Sequence, residues 1–255
     1  MPGMGKGQYH TRIKVDTTHW NTLVFDGAMS HADVYINGEE VCYWPYGYNT
    51  FDCYILPQLL NNGDSVDIDV FLENKPQQSR WYPGAGIYRN VHLITTDRIH
   101  IPTFGVLVRT PEVSAERATV SIAIELQDGV EPVTAEDAGV EVVTDIMRGG
   151  KAVATIHGAT GEAEVLMPEL WSPETPNLYI ARTRVVRDGN TLDEISTRFG
   201  IRSISYTPEH GFQLNGVTRK FKGVCNHHAR GPLGAAIHKD ALRHQIAMLQ
   251  DMGCD

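Results

Sequence analysis

Five two-residue turn signals, each set between short runs of residues, constrain this chain more than any other feature. They are Asn37-Gly38, Asn62-Gly63, Gly149-Gly150, Asp188-Gly189 and Asn215-Gly216. Asn, Asp and Gly reach positive φ at low cost, and tight hairpin connections require it. Before about residue 237 no stretch repeats its apolar residues at helical spacing. Before about residue 200 the chain is therefore expected to consist of short strands and their connections, with no long helix.

In the first hundred residues the expected strands are 9–15, 21–25, Ala32–Ile36, 39–43, 65–73 and 91–95. The fifth shows the pattern most clearly: Val66, Ile68, Val70 and Leu72 alternate with Asp67, Asp69 and Phe71. Short strands with frequent turns indicate a sandwich or jelly roll. This segment is also rich in aromatics: Tyr43, Trp44, Tyr46, Tyr48, Phe51, Tyr54, Trp81, Tyr82 and Tyr88. They can serve as core and interface filling or as platforms for a ligand, and filling is the favoured reading. From 100 to about 206 the expected strands are 100–109, 117–126, 140–148, 151–159, 163–167, Tyr179–Arg187 and 191–199. About seven strands in about 100 residues suggest an immunoglobulin-like sandwich. Pro173 and Pro176 cannot donate to a ladder, so 171–176 reads as a connection. The acidic stretch 128–138 reads as a solvated loop.

The formal net charge of −9 argues against nucleic acid or an anionic membrane surface as partner. No apolar run approaches the ~20 residues that span a bilayer. The four cysteines lie at 42, 53, 225 and 254, without metal-ligand spacing. Cys42 and Cys53 could pair across strands, but four free thiols is the favoured reading.

After residue 207 the pattern changes. Lys220 to Val224 alternate and read as a strand. Gly231, Pro232 and Gly234 then break the chain, and Leu242, Ile246 and Leu249 recur at helical spacing up to Gly253. Strand, loop and helix in that order form the repeat of a β/α barrel, whose active-site residues lie on loops after strands. A lone unit of this kind has no place in a finished binding module, because its strand needs parallel neighbours.

Three separated motifs carry a resemblance. Trp81-Tyr82-Pro83-Gly84-Ala85-Gly86-Ile87-Tyr88-Arg89-Asn90-Val91 is the first, and Leu170-Trp171-Ser172-Pro173-Glu174-Thr175-Pro176-Asn177-Leu178-Tyr179 the second. The third joins Phe199-Gly200-Ile201-Arg202 and Gly211-Phe212-Gln213-Leu214-Asn215-Gly216 to Lys222-Gly223-Val224-Cys225-Asn226-His227-His228. In this order they resemble glycoside hydrolase family 2, which includes β-galactosidases, β-glucuronidases and β-mannosidases.

The resemblance implies a mainly β chain in three parts. An N-terminally incomplete, galactose-binding-like jelly roll spans 1–99 and an immunoglobulin-like sandwich spans 100–207. The start of a (β/α)8 barrel follows at 208–255. It also implies a fragment, truncated at both ends, of a retaining glycosidase cleaving terminal β-glycosidic bonds, of β-galactosidase type foremost. Such enzymes use two glutamates about 5–5.5 Å apart. In the family both lie on later barrel strands, and a barrel takes about 250 residues. No catalytic residue is therefore expected here, and the chain alone is expected to be inactive. His227 is the residue expected to contact the sugar, with His228 beside it. Adjacent histidines rarely ligate one ion, so no metal site is expected from His227, His228 and His238. No cofactor is expected. Carbohydrate is the expected partner, and the whole enzyme can be oligomeric. Two alternatives stay open: a non-catalytic carbohydrate-binding module, and a two-sandwich interaction protein.

Overall fold

A computed structural model describes residues 5–60, 63–75, 84–227 and 231–255. The chain divides into two compact units. The first comprises residues 1–95 and 223–254, and the second comprises 96–222 together with Asp255.

The first unit is an antiparallel β-sandwich. Its strands are β1 (Gly5–Lys14), β2 (Trp20–Phe25), β3 (Ala28–Met29), β4 (Ala32–Ile36), β5 (Glu39–Trp44), β6 (Phe51–Ile55), β7 (Ser65–Asn74), β8 (Gly86–Ile87) and β9 (Val91–Thr96). One sheet has the order β1-β7-β4-β5 and another β6-β2-β9, while β3 and β8 form a short ribbon. The β4–β5 turn is Asn37-Gly38, at φ 50° and 87°. The Asn37 amide then crosses to other segments, accepting from the Asp67 N–H at 2.8 Å and donating to the Leu59 carbonyl at 2.7 Å. In β4, β6 and β7 alternate residues are buried, as sheets with one face on the core require. The inward residues include Val34, Ile36, Phe51, Ile55, Val66, Ile68 and Val70. Each fully buried side chain of this size stabilises the fold by about 1.5–3 kcal/mol. Strand β2 is buried at all six positions. Its buried Asn21 is satisfied: the amide donates to the carbonyls of Asp16 (2.6 Å) and His19 (2.9 Å), and accepts from the Thr95 hydroxyl (3.1 Å).

The second unit holds β10 (Ile99–His100), β11 (Val106–Val113), β12 (Arg117–Ile124), β13 (Gln127–Asp128), β14 (Glu131–Pro132), α1 (Ala135–Ala138), β15 (Glu141–Arg148), β16 (Lys151–His157), β17 (Thr160–Leu166), β18 (Tyr179–Arg187) and β19 (Asn190–Phe199). Sheets of order β11-β12-β17 and β16-β15-β18-β19 enclose the core, which contains Val120, Ile122, Val142, Ile146, Tyr179, Ala181 and Val185. The turns Gly149-Gly150 (φ 53°, 79°) and Asp188-Gly189 (φ 50°, 77°) sit where the sequence places them. A small sheet of β20 (Ile204–Thr207), β21 (Gly211–Leu214) and β22 (Val217–Thr218) follows, turned by Asn215-Gly216. The chain is thus mainly β, as the resemblance implies.

Three sequence readings need correction. The expected strand 100–109 is broken, because residues 102–105 form a turn with Phe104 at φ 63°. The acidic stretch 128–138 contains β14 and the helical turn α1, which Thr134 caps by accepting the Asp137 N–H at 3.1 Å. Residues 220–224 form no strand and are exposed. A barrel strand needs parallel neighbours, and no described strand pairs with this segment. The helix that follows, α2 (Lys239–Asp251), is where the periodicity predicts it.

Candidate functional site

At one end of the first unit the chain gathers four segments: residues 26–31, 43–48, 84–90 and 231–237. Tight approach at Gly47 draws the first two together. A Cβ there would lie 2.3 Å from Met29 Sδ, so only glycine fits without displacing that side chain. The His31 N–H donates to the Pro45 carbonyl at 3.2 Å, and the His31 ring meets the Tyr43 hydroxyl at 2.6 Å. His31 holds φ 46°, a left-handed conformation that is uncommon outside glycine. The Met29–Ser30 peptide is cis.

The third segment fastens this loop from below. The Tyr88 hydroxyl donates to the Gly47 carbonyl at 2.9 Å. One guanidinium nitrogen of Arg89 donates to the carbonyls of both Asp26 and Tyr48, each at 3.1 Å. Burial raises the Tyr88 and Tyr48 phenols above their ordinary values, so both hold their protons. The fourth segment lies on the same cluster: Ala235 is buried with Met29 and Tyr88, Tyr48 packs beside them, and the Ile237 N–H donates to the Tyr88 carbonyl at 3.2 Å.

His227 is exposed on the stretch that leads into this fourth segment. Its neighbour Asn226 accepts a hydrogen bond from the Gln245 amide of α2 at 2.6 Å. Asn226 is thus tied to α2, and Ala235 to Met29 and Tyr88. His228 lies outside the described residues, as do Trp81 and Tyr82. The remaining aromatics divide by role. Phe51 is buried and stacks between Phe25 (4.8 Å) and Trp44 (5.7 Å), while Tyr54 packs on Trp20 at 5.9 Å. Tyr43 and Tyr46 are exposed, and Tyr46 meets Tyr48 edge-on at 5.5 Å. Exposed ring faces beside hydroxyl and imidazole groups can stack on apolar sugar faces and hydrogen-bond their hydroxyls. Met29, His31 and Arg89 escaped sequence reasoning as members of this end. Only Arg89 carried a signal, by its place in the first motif.

In the second unit, the motif 170–179 serves as a structural clasp. The Asn215 amide donates to the Trp171 carbonyl at 3.0 Å and accepts from the Ser203 N–H at 3.0 Å. Arg202 lies over the Trp171 ring at 5.2 Å. Arg219 binds Glu174 at 2.5 Å and Asp255 at 2.7 Å, and Asp255 also accepts the Lys222 N–H at 3.0 Å. The Arg219 hydrogen bond draws the Glu174 carboxyl down to about 2. Among the described residues no cluster of three His, Cys, Asp or Glu side chains could hold a metal ion.

Residues 95–202 match the family model for glycosyl hydrolases family 2. The chain is 36% identical over 267 residues to a β-galactosidase of Bacteroides ovatus, covering 100% of this chain and 31% of that protein. It is 36% identical over 244 residues to a putative β-glucuronidase of Formosa agariphila, covering 93% of this chain and 22% of that one. Among solved structures, a glycosyl hydrolase family 2 member from Bacteroides cellulosilyticus superposes with a TM-score of 0.86 at 32% identity, over 98% of this chain and 36% of that chain. A β-glycosidase from Bacteroides vulgatus gives 0.89 at 29% identity, over 98% and 33%. The chain therefore spans between 22% and 36% of the length of each relative named here.

Proposed function

Because this chain belongs to glycosyl hydrolases family 2, we propose that it is the non-catalytic, sugar-positioning part of a retaining enzyme that cleaves terminal β-glycosidic bonds. β-Galactosides are the first substrate class in this reading. The observation that carries it is the match of the whole chain to the Bacteroides ovatus β-galactosidase. The β-glucuronidase relatives favour β-glucuronides as the second class. The reading divides the chain into a jelly roll (1–99), an immunoglobulin-like domain (100–207) and a barrel start (208–255). The acid/base and nucleophile belong to residues outside these 255.

In this reading His227 donates a hydrogen bond to a sugar hydroxyl, and His228 supports it. The exposure of His227 and the anchoring of its neighbour Asn226 support the assignment. A bond that tightens in the transition state lowers the barrier, so its loss lowers kcat and kcat/KM together. One such bond is worth about 1–3 kcal/mol, or roughly tenfold to a hundredfold in rate. The test is steady-state kinetics of an enzyme that contains this chain, assayed on nitrophenyl β-galactoside, β-glucuronide and β-mannoside. The expected result is highest kcat/KM on the galactoside, with His227→Ala reducing it tenfold or more at unchanged melting temperature. Unchanged kinetics in that variant would show that His227 does not touch the sugar.

A further inference from the structure

The loop 45–50 joins β5 in one sheet of the first sandwich to β6 in the other. Its two roots face each other in register. Trp44 stacks on Phe51 at 5.7 Å with the ring planes 14° apart. Two residues further from the loop on each strand stand Cys42 and Cys53. Side chains two apart along a strand share a face, so the second pair opposes as the first does. Other contacts agree: Cys42 Sγ lies 3.7 Å from the carbonyl oxygen of Asp52, the residue next to Cys53. Cys42 packs against the buried cluster to which Cys53 belongs, and Cys53 is only 2% exposed. Both thiols are free.

We propose that Cys42 and Cys53 are a disulfide-forming modification site that ties the two sheets together at the root of the aromatic loop. The occupant is each other's sulfur, and the co-reactant is a small-molecule disulfide such as oxidised glutathione. Cys42 is the entry point, being half-buried where Cys53 is buried. A hydrogen bond from Cys53 holds the Cys42 thiol below its ordinary value. Cys53 is pushed up by that same bond and by burial. The thiolate form is the attacking species. Cys42 releases its proton and attacks oxidised glutathione, forming a mixed disulfide and expelling one glutathione thiolate. Cys53 then gives up its proton and attacks the Cys42 sulfur, expelling the second. The two expelled thiolates take up the two protons. Two cysteines are oxidised, and one glutathione disulfide becomes two glutathiones. The bridge would fix Tyr46 and Tyr48 on their loop whatever the loop binds, so the inference stands apart from the sugar reading.

The test uses the full chain with Cys225→Ser and Cys254→Ser, which leaves only this pair. After equilibration with oxidised glutathione, the protein is denatured in iodoacetamide and weighed intact. The expected product has lost two hydrogens, carries no glutathione or alkyl group, and regains two alkylatable thiols on reduction. A glutathione adduct retained at Cys42 would overturn the proposal by showing that Cys53 cannot reach it. Two alkylated thiols would overturn it equally. Should the double variant fail to fold, peptide mapping of the oxidised wild-type chain asks the same question. A peptide joining Cys42 to Cys53 supports the site, and its absence with both residues recovered as alkylated peptides rejects it.

Discussion

Arg219 shows how one side chain can order a stretch that forms no regular structure. It follows β22 and holds two carboxylates from distant positions, Glu174 in the 170–179 motif and Asp255. Both carboxyls are held below their ordinary values, Glu174 to about 2, chiefly through Arg219, and Asp255 by the Lys222 N–H and then by Arg219. A carboxyl whose value is depressed on folding stabilises the fold at pH above its unfolded value. That stabilisation is lost as pH falls through the folded value. For Glu174 the window runs from 4.5 down to about 2. The Glu174 side chain is 62% exposed, so solvent and salt screen the effect and it is small. Thermal melts of wild type and Arg219→Met should differ at neutral pH, and the gap should narrow across that window and close below it. A gap that stays constant down to the acid end would show that Arg219 acts through packing on Phe221 rather than through charge.

At the scale of elements, the β15–β18 pair carries a feature that sequence alone hides. Thr144 and Thr183 are cross-strand partners, fully buried, with their hydroxyls 3.0 Å apart inside an otherwise apolar layer. Thr144→Val should leave the Thr183 hydroxyl without its partner and cost about 1–3 kcal/mol in urea unfolding. The double change to Val at both positions should recover most of that loss, because no polar group remains stranded. Simple additivity of the two single changes would mean that each hydroxyl is satisfied elsewhere. The turns were legible because Asn37-Gly38, Asp188-Gly189 and Asn215-Gly216 use residues that tolerate positive φ. The turn at 102–105 was illegible because Phe104, a bulky residue, holds that conformation instead. Strand β2 shows no alternation because both its faces are buried. Alternation at 220–224 promised a strand, but hydrogen bonds to a neighbour make a strand, and pattern alone cannot supply one. At the candidate site the aromatics of the 43–48 loop could be read from composition. The tethers that position them, from Met29, Tyr88 and Arg89, depend on contacts 18 to 41 residues apart along the chain and leave no local trace.

For the whole molecule, two β-rich units in this order, with α2 after them, fit the front of a family 2 enzyme. The second unit binds its own segments together through the Trp171 clasp, while the first carries the exposed Tyr43, Tyr46 and His227. Under the proposed function, the pair of carboxylates that retaining hydrolysis needs lies outside this chain. The chain is therefore read as organising a sugar site that it cannot operate by itself. The most direct measurement is turnover of nitrophenyl β-galactoside, β-glucuronide and β-mannoside by the isolated 255-residue chain. Release of nitrophenol at the rate of the buffer blank is expected for all three. Turnover above that blank which survives repurification, and is abolished by replacing one carboxylate within this chain, would contradict it.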